Sequence, residues 1–208
     1  MKEGKGFIPL WIQDGFVELL MPMINLFIKW RVNPNFFTVL GFIFSLAAAL
    51  IIMNDPKMIH LGGGLIILGG ICDIIDGKVA RETGQTTRFG ALFDSVIDRY
   101  SEMVMFFAVA VYYVKLDNYL FSIVTIIAFG GATMVSYVRA RAESLGLPAK
   151  VGIMQRPERV VLVGVTALFH VFLLKIGIWA IAILANYTAI QRLIYAYRAS
   201  KSTTKQED

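Results

Sequence analysis

The chain predicts an all-α integral membrane protein: six transmembrane helices preceded by an amphipathic juxtamembrane helix. Three observations carry that expectation. Of the 208 residues 57% are hydrophobic and the mean hydropathy is +0.65, well above the level of a soluble domain of this length. Six apolar stretches come close to or reach the roughly 17–25 residues that a bilayer core requires. Lysine and arginine gather in alternate loops, the asymmetry that orients membrane helices.

Residues 1–32 are expected to form an N-terminal segment with an interfacial helix. Residues 9–32 mix Trp11, Phe16, Leu19, Leu20, Met23, Leu26, Phe27 and Trp30 with Gln13, Asp14, Glu18, Asn25, Lys29 and Arg31, a pattern suited to lying in the membrane interface. Asp14 and Glu18 weigh against a seventh span, and no pattern of a cleavable signal peptide is expected there. The transmembrane part, 33–197, holds spans at 36–53, 59–75, 89–114, 119–137, 160–174 and 176–195. The fifth is short unless it starts near Glu158, and Leu174-Lys175-Ile176-Gly177 is expected as its tight hairpin to the sixth. Residues 198–208 read as a polar, frayed tail. The whole of 1–208 reads as a single domain without repeats or linkers, and the lone Cys72 excludes an internal disulfide.

With six spans both termini share one side. That side would hold Lys2, Lys5, Lys29, Arg31, Lys78, Arg81, Arg88, Arg139, Arg141, Lys150, Arg156, Arg159, Arg198, Lys201 and Lys205, against Lys57, Lys115 and Lys175 opposite. The positive-inside rule makes the basic side cytoplasmic. A multi-pass protein of the plasma membrane is expected, with both termini and the active site facing the cytoplasm and no nucleic-acid partner.

Four aspartates, Asp73, Asp76, Asp94 and Asp98, lie within this apolar sequence. An ionised carboxylate at a bilayer centre costs about 2.5–3.5 kcal/mol on the most lenient scale, so something must compensate them. The spacings i,i+3 and i,i+4 put each pair on one face of its own helix. Gly77, Ala80 and Gly90 are small enough to let the two helices approach. Two helices presenting two carboxylates each would make an oxygen-rich cage for hard cations such as Mg²⁺, which also bind substrate phosphate. Paired metals can clamp the attacking and leaving oxygens of a displacement.

The string Asp73-x-x-Asp76-Gly77-x-x-Ala80-Arg81, eight residues, Gly90-x-x-x-Asp94-x-x-x-Asp98 is similar to the signature of the CDP-alcohol phosphotransferase family at every fixed position. The resemblance covers essentially the whole chain, since that family is built of six transmembrane helices with the signature running from the second into the third. It implies an enzyme that moves a phosphoryl-linked lipid from a CDP-activated donor, CDP-diacylglycerol or CDP-archaeol, to an alcohol, releasing CMP, with two Mg²⁺ or Mn²⁺ ions and a homodimeric assembly. It implies Asp73, Asp76, Asp94 and Asp98 as the metal site, with Asp98 also the general base. Spacing alone leaves open which aspartate takes the alcohol's proton.

For the donor, Gly77 leaves the backbone open to a nucleotide and Arg81 offers a planar fork for phosphate oxygens. Thr87 aligns with a CDP-lipid contact in the resemblance. Asn35, Phe36, Phe37 and Thr38 follow Pro34 at the start of the first span and resemble the family's proline-asparagine opening, where a helix N-terminus would face the diphosphate. Capping by Asn35 and Thr38 is the alternative.

For the acceptor, Arg139, Arg141, Lys150, Arg156 and Arg159 gather between the fourth and fifth spans, and a phosphorylated alcohol is what such a cluster suits. Topology alone supplies some of these charges. The pattern Ala-Arg-Ala-Glu followed by Arg-Pro-Glu-Arg resembles the branch that makes phosphatidylinositol phosphate, or its archaeal ether-lipid counterpart, from inositol phosphate. Arg192 resembles a further position of that branch. Glu158 is expected to orient a neighbouring arginine. Glycerol 3-phosphate is the competing acceptor, as in phosphatidylglycerophosphate synthases. An ion or proton carrier is the competing class, which the Gly77, Ala80 and Arg81 framework argues against. His60 and His170 are expected to pack or sit at the interface, and Trp11, Trp30, Tyr112, Tyr113, Tyr119, Trp179, Tyr195 and Tyr197 to form an interfacial belt.

Overall fold

The structure, a computed structural model, describes residues 6–207; Lys2 and Lys5 of the basic side lie outside them. Every regular element among the described residues is helical: α1 (Leu10–Lys29), α2 (Pro34–Asn54), a 3-10 turn at Pro56–Met58, α3 (Ile59–Glu82), α4 (Arg88–Lys115), α5 (Tyr119–Ser144), α6 (Arg156–Phe169) and α7 (Val171–Glu207).

Local chemistry sets these limits. Asn33 caps α2 by accepting the Asn35 N–H at 3.0 Å, with Pro34 in the first turn; the cap is neither Asn35 nor Thr38, because the proline fixes the helix start one residue earlier. At the end of α3 the chain turns through Gly84, whose φ of +68° favours glycine. Thr87 caps α4 by accepting the Gly90 N–H at 2.9 Å.

Two expectations about the last helices are corrected. The reversal between α6 and α7 falls at His170, not at Leu174-Lys175-Ile176-Gly177, which lies inside α7. His170 is extended there, and its Nδ1 accepts the Phe172 N–H at 3.1 Å, so an imidazole serves as helix cap. The fifth element of the bundle accordingly starts at Arg156, with Pro157 in its first turn. The helical conformation also continues through 198–207, the stretch expected as a frayed tail, since no glycine or proline interrupts it.

Helices α2 to α7 run alternately up and down. Lys115 at the end of α4 donates to the Met53 carbonyl at the end of α2, and His60 at the start of α3 meets the Leu168 carbonyl near the end of α6 at 2.9 Å. At the other end, Arg156 opens α6 beside Asp73 and Asp98. The protein is an integral membrane protein: five stretches, Leu10–Lys29, Pro34–Asn54, Pro56–Glu82, Tyr119–Ser144 and Val171–Lys201, are long and apolar enough to cross a bilayer. Helix α4 falls outside that set because any membrane-long stretch within it takes in Asp98, Arg99 and Glu102; α6 does so because it has only 14 residues.

Glycines bring the helices together. A Cβ on Gly69 of α3 would lie 3.0 Å from the Gly41 carbonyl of α2, and one on Gly63 would lie 2.6 Å from the Leu168 backbone nitrogen of α6. Gly63→Ala therefore forces α3 and α6 apart, at about 1–3 kcal/mol for overpacking of this kind. Thermal unfolding in detergent should show a lower Tm for Gly63→Ala and none for Gly130→Ala, where nothing lies within 4 Å of the added carbon.

The expected close approach of the two aspartate helices is made by their carboxylates and not by their backbones. Helix α2 is packed against both α3 and α4, which hardly meet each other. The small signature residues make room for polar side chains instead. A Cβ on Gly77 would sit 3.3 Å from an Arg81 guanidinium nitrogen, and one on Gly90 would sit 2.9 Å from Thr87 Oγ1.

Candidate metal centre and active site

The last turns of α3 and the first turns of α4 deliver the acids. Asp73, Asp76 and Asp94 each offer a carboxylate oxygen, and these oxygens lie within 4.8 Å of one another. Oxygens sharing one hard cation at about 2.0–2.6 Å are spaced no wider than this scale allows. Asp76 is buried and accepts the Thr38 hydroxyl at 2.8 Å. Asp94 Oδ1 is buried with no hydrogen-bond partner, an acceptor that a cation would satisfy. The donor set is all carboxylate oxygen, which suits Mg²⁺ or Mn²⁺.

Asp98 stands outside this group of three. One helical turn deeper along α4, it meets Arg156 at 2.7 Å, while Arg156 also bonds Asp73. The same face of α4 continues to Glu102, which is buried and lies 2.6 Å from Arg159 of α6. Arg99 stands between, 3.7 Å from Asp98 and 4.0 Å from Glu102. Sequence reasoning overlooked Glu102, although Gly90, Asp94, Asp98 and Glu102 extend one i,i+4 series.

A cavity of about 180 Å³ opens beside Asp76 and Asp94. Its walls include Asn35, Thr38, Gly77, Arg81 and Thr87 among the expected donor residues, together with Asp76, Asp94 and Gly90. Gln85 and Thr86 line it as well; their signal was only the polarity of the loop next to Thr87. Phe36 and Phe37 are not brought to it. Asn35 and Thr38 share a face of α2 at i,i+3, which turns the intervening phenylalanines elsewhere: Phe36 is exposed, and the Phe37 ring packs 4.7 Å from that of Phe27 on α1. A second void of about 20 Å³, the size of one water, lies deeper among Thr38, Ser45, Asp73, Asp98, Glu102 and Arg156.

The acceptor cations do not form one cluster. Arg156 reaches the acids, but Arg159 is fully buried, bound to Glu102 and, at 3.0 Å, to the Met154 carbonyl. Arg192 is buried too and donates to the Val151 and Val135 carbonyls, each at 2.7 Å. These two arginines fasten the segment between α5 and α6. Arg139 pairs with Glu143 at 2.8 Å on the exposed end of α5, Arg141 donates to Ser144 at 3.4 Å, and Lys150 is exposed in the following loop. Glu158 is buried with its carboxylate against the backbone N–H groups of Phe7 and Ile8, so it fastens the N-terminal segment to α6.

The model of the CDP-alcohol phosphatidyltransferase family matches residues 31–192, and the chain belongs to that family. It is therefore an enzyme of the transferase class. Among its relatives, the phosphatidylinositol phosphate synthase of Streptomyces avermitilis is 34% identical over 210 residues, covering 95% of this chain and 85% of that protein. The archaetidylinositol phosphate synthase of Pyrococcus horikoshii is 36% identical over 172 residues, covering 82% and 85%. In three dimensions the chain is similar to crystal structures of the Mycobacterium tuberculosis phosphatidylinositol phosphate synthase. The form with CDP-DAG bound has a TM-score of 0.75 at 28% identity, covering 86% of this chain and 94% of that one. The form with manganese and citrate has a TM-score of 0.74 at 29% identity, covering 85% and 88%.

Proposed function

We propose that the protein transfers a phosphatidyl or archaetidyl group from a CDP-activated lipid to the hydroxyl of inositol phosphate, releasing CMP. One observation carries this reading: of a three-carboxylate group, Asp76 and Asp94 line the larger cavity, while Asp73 lines the deeper void together with Asp98 and Arg156. The relatives named for phosphatidylinositol phosphate and archaetidylinositol phosphate synthesis support the acceptor.

Asp73, Asp76 and Asp94 would hold Mg²⁺, with Mn²⁺ as an alternative and two ions as the expected complement. Bound there, the metal would neutralise the diphosphate of the donor. Arg81, over the Gly77 backbone, orients phosphate oxygens, and Asn35 and Thr87 line the same cavity. Asp98 takes the proton of the acceptor hydroxyl as its oxygen bonds to the lipid-linked phosphorus; the bond from that phosphorus to the CMP oxygen breaks, and CMP carries away the electron pair. Arg156 meets the acceptor phosphate at the inner edge, while Arg139, Arg141 and Lys150 supply positive potential at the approach. Arg159 and Arg192 hold the segment that presents them.

The whole chain acts as a single domain, in the plasma membrane and as a homodimer. Helices α2 to α7 all cross, α1 lies in the interface, and the acids face the cytoplasm. Packing of α4 against α2 and α5 and of α6 against α3 and α7 supports counting the two less apolar helices as spans.

Purified protein with Mg²⁺ and CDP-diacylglycerol or CDP-archaeol, offered inositol phosphate, inositol, glycerol 3-phosphate or serine, should release CMP only with inositol phosphate. EDTA should stop the reaction. Turnover with glycerol 3-phosphate in place of inositol phosphate would overturn the acceptor, and solute transport without CMP release would overturn the activity.

A further inference from the structure

We propose that Thr38 is a positioning residue of the metal centre, its hydroxyl holding the Asp76 carboxylate so that acids on two barely touching helices keep a common geometry. The proposal rests on the reading that Asp73, Asp76 and Asp94 hold a divalent cation.

The acids come from α3 and α4, yet those helices hardly meet, and both rest on α2. Their relative placement is set by α2 together with the Arg156 bridge between Asp73 and Asp98, and Thr38 is a point at which α2 hydrogen-bonds the acid group directly. Its Oγ1 donates to Asp76 Oδ2 at 2.8 Å across 38 residues of sequence, and both residues are buried. A carboxylate has about four lone-pair sites, so this bond leaves Asp76 able to ligate while fixing the plane of the group.

The direction of the hydroxyl is informative. The hydroxyls of Ser45, Thr83, Thr125 and Thr166 all donate to the carbonyl four residues earlier in their own helices, the local bond such residues ordinarily make within a helix. The Thr38 hydroxyl crosses to α3 instead. Having donated to Asp76, it has no proton left for a donor phosphate in the adjoining cavity. This separates orienting a ligand from contacting the lipid nucleotide, and outer-shell partners of ligands commonly matter about 10–100-fold in metal affinity.

Mn²⁺ binding to the purified, full-length protein without substrate, followed by electron paramagnetic resonance, tests the idea. Thr38→Val should weaken Mn²⁺ by about 10–100-fold, and Thr38→Ala, which adds no methyl beside the carboxylate, should show the same loss. Thr38→Ser, which restores the hydroxyl, should bind like the unaltered chain. Raising Mn²⁺ to saturation should restore most of the turnover lost in Thr38→Val, because the loss is one of metal occupancy. Unchanged Mn²⁺ affinity with a raised CDP-lipid KM overturns the proposal in favour of a donor contact, and an equal loss in Thr38→Ser overturns it in favour of packing. If the unaltered chain itself fails to bind Mn²⁺, the metal reading falls and the proposal falls with it.

Discussion

Asp98→Asn is expected to abolish turnover while leaving Mn²⁺ and CDP-lipid bound, whereas Asp94→Asn is expected to lose turnover and Mn²⁺ together. The two residues stand one turn apart on the same face of α4, and their surroundings differ. Asp94 belongs to the group whose oxygens lie within 4.8 Å and carries a buried oxygen with no partner. Asp98 is engaged by Arg156 at 2.7 Å. An asparagine at 94 keeps the shape and removes a charged ligand, so affinity for a divalent ion drops. At 98 the same change removes a proton acceptor, and general-base loss costs about 10²–10⁴ in rate, felt in the transition state and not in donor binding. Single-turnover rates with parallel Mn²⁺ and CDP-lipid titrations measure both. Equal loss of Mn²⁺ affinity in the two variants would make Asp98 a ligand and leave the base unassigned.

Arg156→Ala and Arg159→Ala should fail in different ways. Arg156→Ala is expected to raise the KM for inositol phosphate by about one to two powers of ten, since a charge-assisted hydrogen bond is worth about 1.5–3 kcal/mol, with the CDP-lipid KM nearly unmoved. Arg159→Ala instead leaves Glu102 buried and unpaired. Breaking such a pair from one side costs about 3–5 kcal/mol, so the variant should show a sharply lower Tm and little folded protein. Thermal unfolding beside two-substrate kinetics separates them. A folded Arg159→Ala with a raised acceptor KM would return Arg159 to the substrate site; an unchanged acceptor KM in Arg156→Ala would remove Arg156 from it.

Much of this was legible in the residues. The spans expected at 36–53, 59–75, 89–114 and 119–137 fall within α2 to α5 because their apolar runs end at strong local signals such as Pro34 and Thr87. The aspartate spacing pointed to the chemistry, and the family match bears out the resemblance it carried. What stayed hidden depended on contacts between distant segments. A charge and a glycine at Lys175 and Gly177 look like a turn, while the actual reversal uses the His170 ring. Phe36 and Phe37 were grouped with Asn35 and Thr38 by adjacency, although a helix separates neighbours by about 100°. Arg159 was grouped with Arg156 by spacing, and only its burial against Glu102 divides them. No spacing rule says that α2 would pack against both acidic helices.

The charged side chains around the acids also carry a counting consequence. With Arg81 set aside for the donor diphosphate, five carboxylates, Asp73, Asp76, Asp94, Asp98 and Glu102, stand with three guanidiniums, Arg99, Arg156 and Arg159, which leaves two formal negative charges when all are ionised. One divalent ion brings the assembly to neutrality. A second would leave it positive by two in a region with little water to screen the excess, unless an anion came with it. The diphosphate of a CDP-lipid is such an anion, so on the proposed two-ion reading the second ion would arrive with the nucleotide.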